Sequence, residues 1–303
     1  MRLVDLPMTS LVAQILINGL VSALAYSLVA IGFSAIYRTT RIFHFAYGGT
    51  YAFAAYTFYT FFVLLNVPFI PAILLTLVTS AGIGVLTDIL VYRPLMRQNS
   101  SLLVLLLSSL ALNSIMINLL GMFYGNETKV LSTGLQPTYL FYGVVVSRIQ
   151  LIIGGSSVAM LFLLSVVTFK TNVGRIVRAA RDDVELLTSL GFNVSAVRFG
   201  VFAAATCLCA LPALLIGLDV GITPYIGMKA VLKGAVAVII GGPRIFEGPI
   251  IGAFVIGLLE SLSALSISTQ WADVATFAVL FIFLIFRPEG IYQLKGRAEN
   301  LPA

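Results

Sequence analysis

A polar stretch at residues 169–198, flanked by long apolar runs, constrains the fold of this chain more than any other feature. It reads FKTNVGRIVRAARDDVELLTSLGFNVSAVR and contains five basic and three acidic side chains. An ionised side chain at the centre of a lipid bilayer costs about 2.5–3.5 kcal/mol on insertion scales. This stretch, which we call the island, must therefore lie in water, and its basic excess indicates the cytoplasmic side.

The remainder of the chain is too apolar for a water-soluble domain. Of its 303 residues, 59% are hydrophobic and 10% are charged, whereas soluble domains carry roughly 25% charged residues. Continuous apolar runs of this length predict membrane-spanning helices rather than alternating strands. We predict an all-α, polytopic membrane bundle of eight or nine spans in a single domain, 1–303. The apolar segments are Leu11–Tyr37, Ile42–Leu65, Pro68–Tyr92, Leu102–Gly121, Leu151–Phe169, Phe199–Leu218, Met228–Gly242, Gly248–Leu265 and Trp271–Phe286.

The distribution of Lys and Arg predicts how the bundle is oriented. With the island in the cytoplasm and the spans alternating, thirteen basic residues fall on the cytoplasmic side and five on the other side. Cytoplasmic loops are enriched in Lys and Arg, so we expect the N-terminus outside and the C-terminus in the cytoplasm. Whether Met228–Gly242 crosses the membrane completely stays open. Lys229 and Lys233 within it are expected to extend toward the outer interface.

The island has the pattern of a helix rather than of a slack linker. From Gly174 onward its apolar residues follow helical spacing, and Gly191 stands where a helix would stop. We therefore predict a short amphipathic helix that docks a soluble partner; the alternative is a solvated basic loop. The apolar positions are Ile176, Val177, Ala180, Val184, Leu187 and Leu190.

Several residues in the spans are candidates for a solute path, each with a purely structural alternative. His44, the single histidine, either faces a path or is a hydrogen-bonded histidine near the cytoplasmic interface. Gly48 and Gly49 either break the second span for gating or allow close helix packing. Asn113 either faces the path or hydrogen-bonds to a neighbouring helix. Tyr47 belongs to the same candidate set.

Acidic residues and a second glycine pair add further candidates. Asp88 precedes Arg93 by five residues, which favours a structural ion pair over a proton relay. Glu260 lies within a predicted span, where acids are functional candidates by default. Gly241 and Gly242 lie just before Arg244-Ile245-Phe246, which echoes Arg41-Ile42-Phe43 just before Gly48 and Gly49. Glycine-interrupted segments in two halves of a chain indicate a substrate path.

Nothing in the sequence indicates an enzyme. It contains no Gly-x-x-x-x-Gly-Lys-Ser/Thr phosphate loop, no His-Glu-x-x-His and no Gly-x-Ser-x-Gly. The chain is therefore not expected to hydrolyse ATP or to hold a metal or cofactor, and its basic charge reflects membrane topology rather than nucleic-acid binding. An energy source would have to be another polypeptide.

Six stretches, in this order and spacing, resemble the permease subunits of ABC importers for branched-chain amino acids. This LivH-like branch also includes relatives that carry urea and short amides. The resemblance covers nearly the whole chain. The stretches are Gly19–Gly32, Ile42–Tyr56, Tyr92–Leu95, Gly174–Asn193, Pro224–Glu260 and Arg287–Gly290.

The resemblance implies that the island, about 170–198, forms the coupling helix that fits a cleft of a cytoplasmic ATPase. The residues so implied are Ala179, Ala180, Asp182, Asp183, Leu187 and Gly191, and the predicted coupling set also includes Arg178 and Glu185. Two motifs depart from the family. Where the family reads about Asn-Phe-Ala-His-Gly-Glu, residues 44–49 read His-Phe-Ala-Tyr-Gly-Gly. Where it reads about Gly-Gly-Ile-Gly-Ser-Ile-Pro-Gly, residues 241–248 contain Arg244 and Glu247.

The resemblance further implies a bacterial inner-membrane importer with several other subunits. These would be a second, LivM-like permease, two ABC ATPases that carry ATP and Mg²⁺, and a periplasmic or lipid-anchored solute-binding protein. The expected solute is small and polar or zwitterionic, foremost a branched-chain amino acid. Alternatives are urea or short amides carried by the same machinery, or a stand-alone secondary transporter or channel. The expected path residues are His44, Tyr47, Gly48, Gly49, Asn113, Gly241, Gly242 and Glu260.

Overall fold

A computed structural model describes residues 8–131, 137–141, 143–182, 184–242, 246–266, 272–286 and 291. The described part is a helical bundle with one short β-hairpin. The all-α prediction is therefore correct for the helices but missed this hairpin. Its helices are α1 (Met8–Thr40), α2 (Tyr47–Tyr59), α3 (Phe69–Thr87), α4 (Arg93–Arg97), α5 (Leu102–Tyr124), α6 (Arg148–Lys170), α7 (Asn172–Asp182), α8 (Val184–Ser189), α9 (Val194–Val220), α10 (Ile226–Gly241), α11 (Glu247–Ser266) and α12 (Ala272–Phe286).

The helices include five segments that are long and apolar enough to cross a membrane. These are Ser10–Thr40, Phe69–Arg97, Leu102–Tyr124, Arg148–Lys170 and Val194–Val220. In their apolar windows, 72% of Val194–Val220 is buried but only 11% of Arg148–Lys170. Helix α9 is therefore central in the bundle and α6 is peripheral. The prediction of a polytopic helical membrane protein is confirmed, while the count of eight or nine spans stays a prediction. Trp271 lies outside the described residues.

The β-hairpin marks one end of the bundle, which we call the hairpin end. Strands β1 (Thr138–Phe141) and β2 (Val144–Ser147) pair antiparallel, with Thr138 opposite Ser147. Gln14, near the start of α1, exchanges two hydrogen bonds with the backbone of Val145, at 2.8 and 2.9 Å. This end therefore carries the start of α1, and the island end, with α7 and α8, carries the start of α9.

The second predicted span differs from its expected form. The helix begins at Tyr47 rather than near Ile42, and residues 41–46 are not helical. The break therefore precedes Gly48 and Gly49, which lie in the first turn of α2, so the prediction of a break at the glycines is wrong. A π-helical segment, Thr60–Leu64, extends α2 toward the hairpin end, and a second π segment, Asp88–Tyr92, joins α3 to α4.

The bundle has an internal repeat of inverted topology. Helix α1 packs against α10 and α11, and α9 packs in the same way against α2 and α3. The contact between α2 and α3 likewise corresponds to the contact between α10 and α11. Since α1 and α9 begin at opposite ends, the two halves are inverted, an arrangement that transporters place around a substrate site. The echo seen in the sequence aligned Gly48 with Gly241, whereas the structure makes α10, with Gly227, the counterpart of α2.

Small residues set the closest helix contacts, as is usual in membrane bundles. A Cβ atom added at Gly257 of α11 would lie 2.7 Å from the carbonyl oxygen of Gly19 of α1. A Cβ atom added at Gly252 would lie 1.9 Å from the carbonyl oxygen of Ala237 of α10. Backbone atoms cannot yield at such distances, so these glycines fix the spacing of α1, α10 and α11.

Candidate translocation site and coupling surface

His44 is buried among the helices of the bundle. It is fully buried in the connection 41–46, and its Nδ1 lies 2.6 Å from the hydroxyl oxygen of Tyr92. Three aromatic rings pack around the imidazole, with centroids 5.4 Å (Tyr92), 5.5 Å (Phe202) and 5.8 Å (Tyr47) away. Its Nε2 has no hydrogen-bond partner among the described residues. The expected hydrogen bond is present, and the expected position near the cytoplasmic interface stays a prediction.

The N-termini of α2 and α10 meet in the interior of the bundle. A Cβ atom added at Gly227 would lie 1.9 Å from the carbonyl oxygen of Gly48, so the two helices touch through backbone. Gly49 packs equally closely on α5, where its added Cβ would lie 2.8 Å from the Met116 side chain. The glycines thus allow close helix packing. We call this contact the α2–α10 junction; it places two positive helix-dipole ends inside the bundle.

Tyr47 and Asn113 complete the surroundings of the junction. The Tyr47 hydroxyl donates to the carbonyl oxygen of Ala205 in α9, at 2.6 Å. Asn113 of α5 is 3% exposed, and its Oδ1 lies beside Gly48 without a hydrogen-bond partner among the described residues. The structure therefore brings His44, Tyr47, Gly48, Gly49 and Asn113 into one region.

Gly241 and Gly242 lie elsewhere, at the end of α10. A Cβ atom added at Gly241 would lie 1.7 Å from the carbonyl oxygen of Gly248, so this glycine allows α10 and α11 to meet at the island end. Gly242 has φ +88° and ends α10 in a conformation that favours glycine. The structure thus separates this pair from the His44 region. Arg244 falls outside the described residues.

Glu260 forms an ion pair in a third place, between α1, α10 and α11. Its Oε1 lies 2.6 Å from Nζ of Lys233, and that Nζ also lies 3.3 Å from the hydroxyl of Tyr26. The Lys233 side chain is 10% exposed. The expectation that Lys233 extends toward the outer interface is therefore wrong, because the carboxylate of Glu260 and the Tyr26 ring, 5.3 Å away, hold its ammonium in the bundle.

Asp88 is the buried centre of an ion cluster near the island end. Its Oδ2 lies 3.7 Å from the guanidinium of Arg93, which confirms the predicted pair. Its Oδ1 also accepts a hydrogen bond from Arg198 of α9. The Asp88 side chain is fully buried and that of Arg198 is 12% exposed. The spacing of the sequence pointed to Arg93 but gave no signal for Arg198, which is 110 residues away.

The island forms two helices, α7 and α8. The helical prediction is therefore confirmed, with two helices in place of the single one expected. Ala180 and Leu187 are buried against the bundle, whereas Ala179 is exposed. Arg178 donates to the carbonyl oxygen of Thr168, and its guanidinium lies 5.5 Å from the Phe169 ring centroid. Asp183 and the side chains of Asp182 and Glu185 lie outside the described part of the chain.

Gly191 ends α8 as predicted. Its φ of +83° favours glycine, and its N–H donates to the carbonyl of Thr188 at 2.9 Å. The next N–H, of Phe192, donates to Leu187 at 3.2 Å. The Asn193 side chain then caps α9 by accepting from the N–H of Ala196 at 3.2 Å. Two hydrogen-bonded caps thus join the island to α9.

An apolar cavity of about 420 Å³ lies beneath the island, between α1, α6, α7 and α9. Its walls include Ile31, Leu164, Val177 and Leu208, and Arg178 also lines it. Part of the inner face of α7 is therefore unpacked. Within the described residues, no group of three His, Cys, Asp or Glu side chains could hold a metal ion.

Comparison with known proteins defines the class of protein to which this bundle belongs. Residues 15–284 match the family described as the permease component of the branched-chain amino acid transport system, so the chain belongs to that family. Members of this family are membrane permease subunits rather than enzymes.

Curated relatives agree with this assignment over nearly their full length. The chain is 28% identical to the high-affinity branched-chain amino acid transport system permease protein BraD of Pseudomonas aeruginosa, covering 94% of this chain and 96% of BraD. It is 26% identical to LivH of Escherichia coli with the same coverage. The solved structure of PsaBC from Streptococcus pneumoniae in complex with Fab shares the fold, with a TM-score of 0.53, 14% identity, and coverage of 94% of this chain and 98% of that chain.

Proposed function

We propose that this chain is the permease subunit of a bacterial ABC importer for branched-chain or other small hydrophobic amino acids. The observation that carries the proposal is the family match over residues 15–284, which includes both halves of the inverted repeat. The proposed partners are a second, LivM-like permease, two ATPase subunits and a solute-binding protein. ATP and Mg²⁺ would be bound by the ATPases.

The α2–α10 junction is the proposed centre of the translocation path. Two helix N-termini meet there beside Oδ1 of Asn113, and the same region holds Nε2 of His44; neither atom has a hydrogen-bond partner within the described part of the chain. Helix N-termini attract anionic groups, and a carboxylate is the anionic group of an amino acid. In alternating access, the inverted halves would rock about this contact so that the path opens first to one side and then to the other.

The island is the proposed coupling surface for the ATPases. Its amphipathic helix α7 buries Ala180 against the bundle and leaves Val173 63% exposed at its start. Arg178, Ala179, Ala180, Asp182, Asp183, Glu185, Leu187 and Gly191 are the proposed contact region. We place the island in the cytoplasm, the N-terminus outside and the C-terminus inside, because basic residues concentrate at the island end.

Reconstitution of the complex in liposomes tests the function. With ATP on the cytoplasmic side and a leucine-loaded binding protein on the other, we expect leucine uptake that depends on ATP. The same chain without its partners, under a proton or sodium gradient, should transport nothing. Uptake by the chain alone would favour the secondary transporter, and ATP-driven uptake of urea without leucine would favour the amide branch.

A further inference from the structure

Buried polar contacts, joined by short backbone segments, connect the island to the α2–α10 junction. It begins at Arg198, which lies five residues after Asn193, the cap residue of α9. Because two consecutive caps join α8 to α9, a displacement of the island would also displace this first part of α9. Beside α7, by contrast, lies the apolar cavity of about 420 Å³, so fewer side-chain contacts join that part of the island to the bundle.

The second contact is the Arg198–Asp88 ion pair, which joins α9 to α3. Asp88 is fully buried, so its carboxylate depends on Arg198 and Arg93 for compensation. Two charges held together at low dielectric resist separation far more than an exposed pair does. A shift of Arg198 must therefore draw Asp88 with it.

Asp88 also begins the π-helical segment that ends at Tyr92. The N–H of Arg93 donates to the carbonyl oxygen of Asp88, five residues earlier, which is the hydrogen-bond spacing of a π-helix. A rearrangement of this segment to α-helical spacing, with the same donors moving to a four-residue spacing, would give it two discrete arrangements, the kind of element through which distant sites are coupled.

Tyr92 then contacts the region of the junction through His44. The 2.6 Å contact between the Tyr92 hydroxyl and His44 Nδ1 joins α3 to the connection that leads into α2. Phe202, four residues beyond Arg198 in α9, packs on the rings of both His44 and Tyr92, at 5.5 and 5.7 Å. The set of contacts thus returns to α9, where it began.

We propose that Arg198, Asp88, Tyr92 and His44 form a relay that transmits movement of the island to the α2–α10 junction. They are positioning residues, because none of them needs to contact the solute. The inference rests on the proposed function, since it assigns a role within ATP-driven transport.

Removal of the Tyr92 hydroxyl tests the relay with the smallest change in packing. We expect Tyr92→Phe, in the complete complex reconstituted in liposomes, to keep hydrolysing ATP. The number of leucine molecules imported per ATP should fall at least about fivefold, the lower end of typical allosteric coupling. The matched control is Tyr124→Phe, which removes a hydroxyl 2.6 Å from Thr60 Oγ1 outside the relay and should leave the ratio unchanged.

Arg198→Gln provides a second test at the other end of the relay. It should lower the same ratio, and the Tyr92→Phe/Arg198→Gln double variant should lower it no further than the stronger single variant, because one relay is broken once. An unchanged ratio in Tyr92→Phe, with or without a lower thermal midpoint, would overturn the relay, as would an equal fall in Tyr124→Phe. If the wild-type complex imports no leucine with ATP, the proposed function fails instead.

Discussion

At the scale of single residues, the Lys233–Glu260 pair shows how the bundle accommodates charge. An isolated charge in a membrane bundle is costly, and each member of this pair compensates the other across 2.6 Å. Tyr26 contributes a hydroxyl and a ring to the same ammonium group. The pair therefore joins α1, α10 and α11 without leaving either charge uncompensated.

Breaking this pair from one side should destabilise the protein. We expect Lys233→Met to lower the free energy of unfolding by about 3 kcal/mol, the low end for a buried pair, because Glu260 keeps a quarter of its side chain exposed. The Lys233→Met/Glu260→Gln double variant should recover most of this loss, since no charge remains unpaired. Thermal unfolding in detergent measures both, and a double variant no more stable than Lys233→Met would contradict the account.

Local spacing in the sequence predicted some of these contacts and missed others for a physical reason. Arg93 follows Asp88 by only five residues, so their pairing could be predicted from the sequence. Arg198 and Glu260 pair with residues that only tertiary packing brings near them. A single sequence indicates such contacts only by the presence of a charged residue in an apolar run. That signal did single out Glu260 as a candidate.

At the scale of elements, the α2–α10 junction depends on glycine at two positions. The carbonyl oxygen of Gly48 occupies the space where a side chain at Gly227 would lie. The sequence predicted the packing role of Gly48 as an alternative, but it gave no reason to choose Gly227 among many glycines. Its importance appears only when the two short helices are seen to meet.

Gly227→Ala should therefore separate α2 from α10. We expect a loss of about 1–3 kcal/mol in the free energy of unfolding, the usual range for overpacking, together with a loss of ATP-driven uptake. The matched control is Gly155→Ala in α6, where an added Cβ meets nothing within 4 Å and the helix propensity improves. Equal stability and uptake in the two variants would show that the junction tolerates a side chain.

At the scale of the whole molecule, composition and charge predicted the class of fold well. The apolar runs predicted the ends of the long helices to within a few residues, because a bilayer requires a set length of apolar chain. They did not give the packing, because span helices such as α5 are apolar on every side and show no inward face. The island was the exception, since water on one side of α7 produces a clear amphipathic pattern.

Orientation is the prediction that belongs to the whole molecule. With Cys207 and Cys209 replaced by alanine, Val173→Cys in the island should react with a membrane-impermeant maleimide only after the cytoplasmic face is opened. Tyr139→Cys in the hairpin should react in intact cells. The side chains of Val173 and Tyr139 are 63% and 45% exposed, so reaction of the maleimide at each position depends on the side of the membrane that the position faces. The reverse labelling pattern would show that the bundle has the opposite orientation in the membrane.

The central claim is that ATPases drive this permease through the island, and Gly191 offers the most direct measurement. Gly191→Val places a β-branched residue at φ +83° and should disrupt the end of α8, whereas Gly191→Asn can keep that backbone conformation. We predict that the complex with Gly191→Val assembles and hydrolyses ATP but imports leucine at least about tenfold less per ATP, as a coupling loss of about 1.4 kcal/mol requires. Gly191→Asn should stay near wild type. Wild-type import per ATP in Gly191→Val would contradict the account.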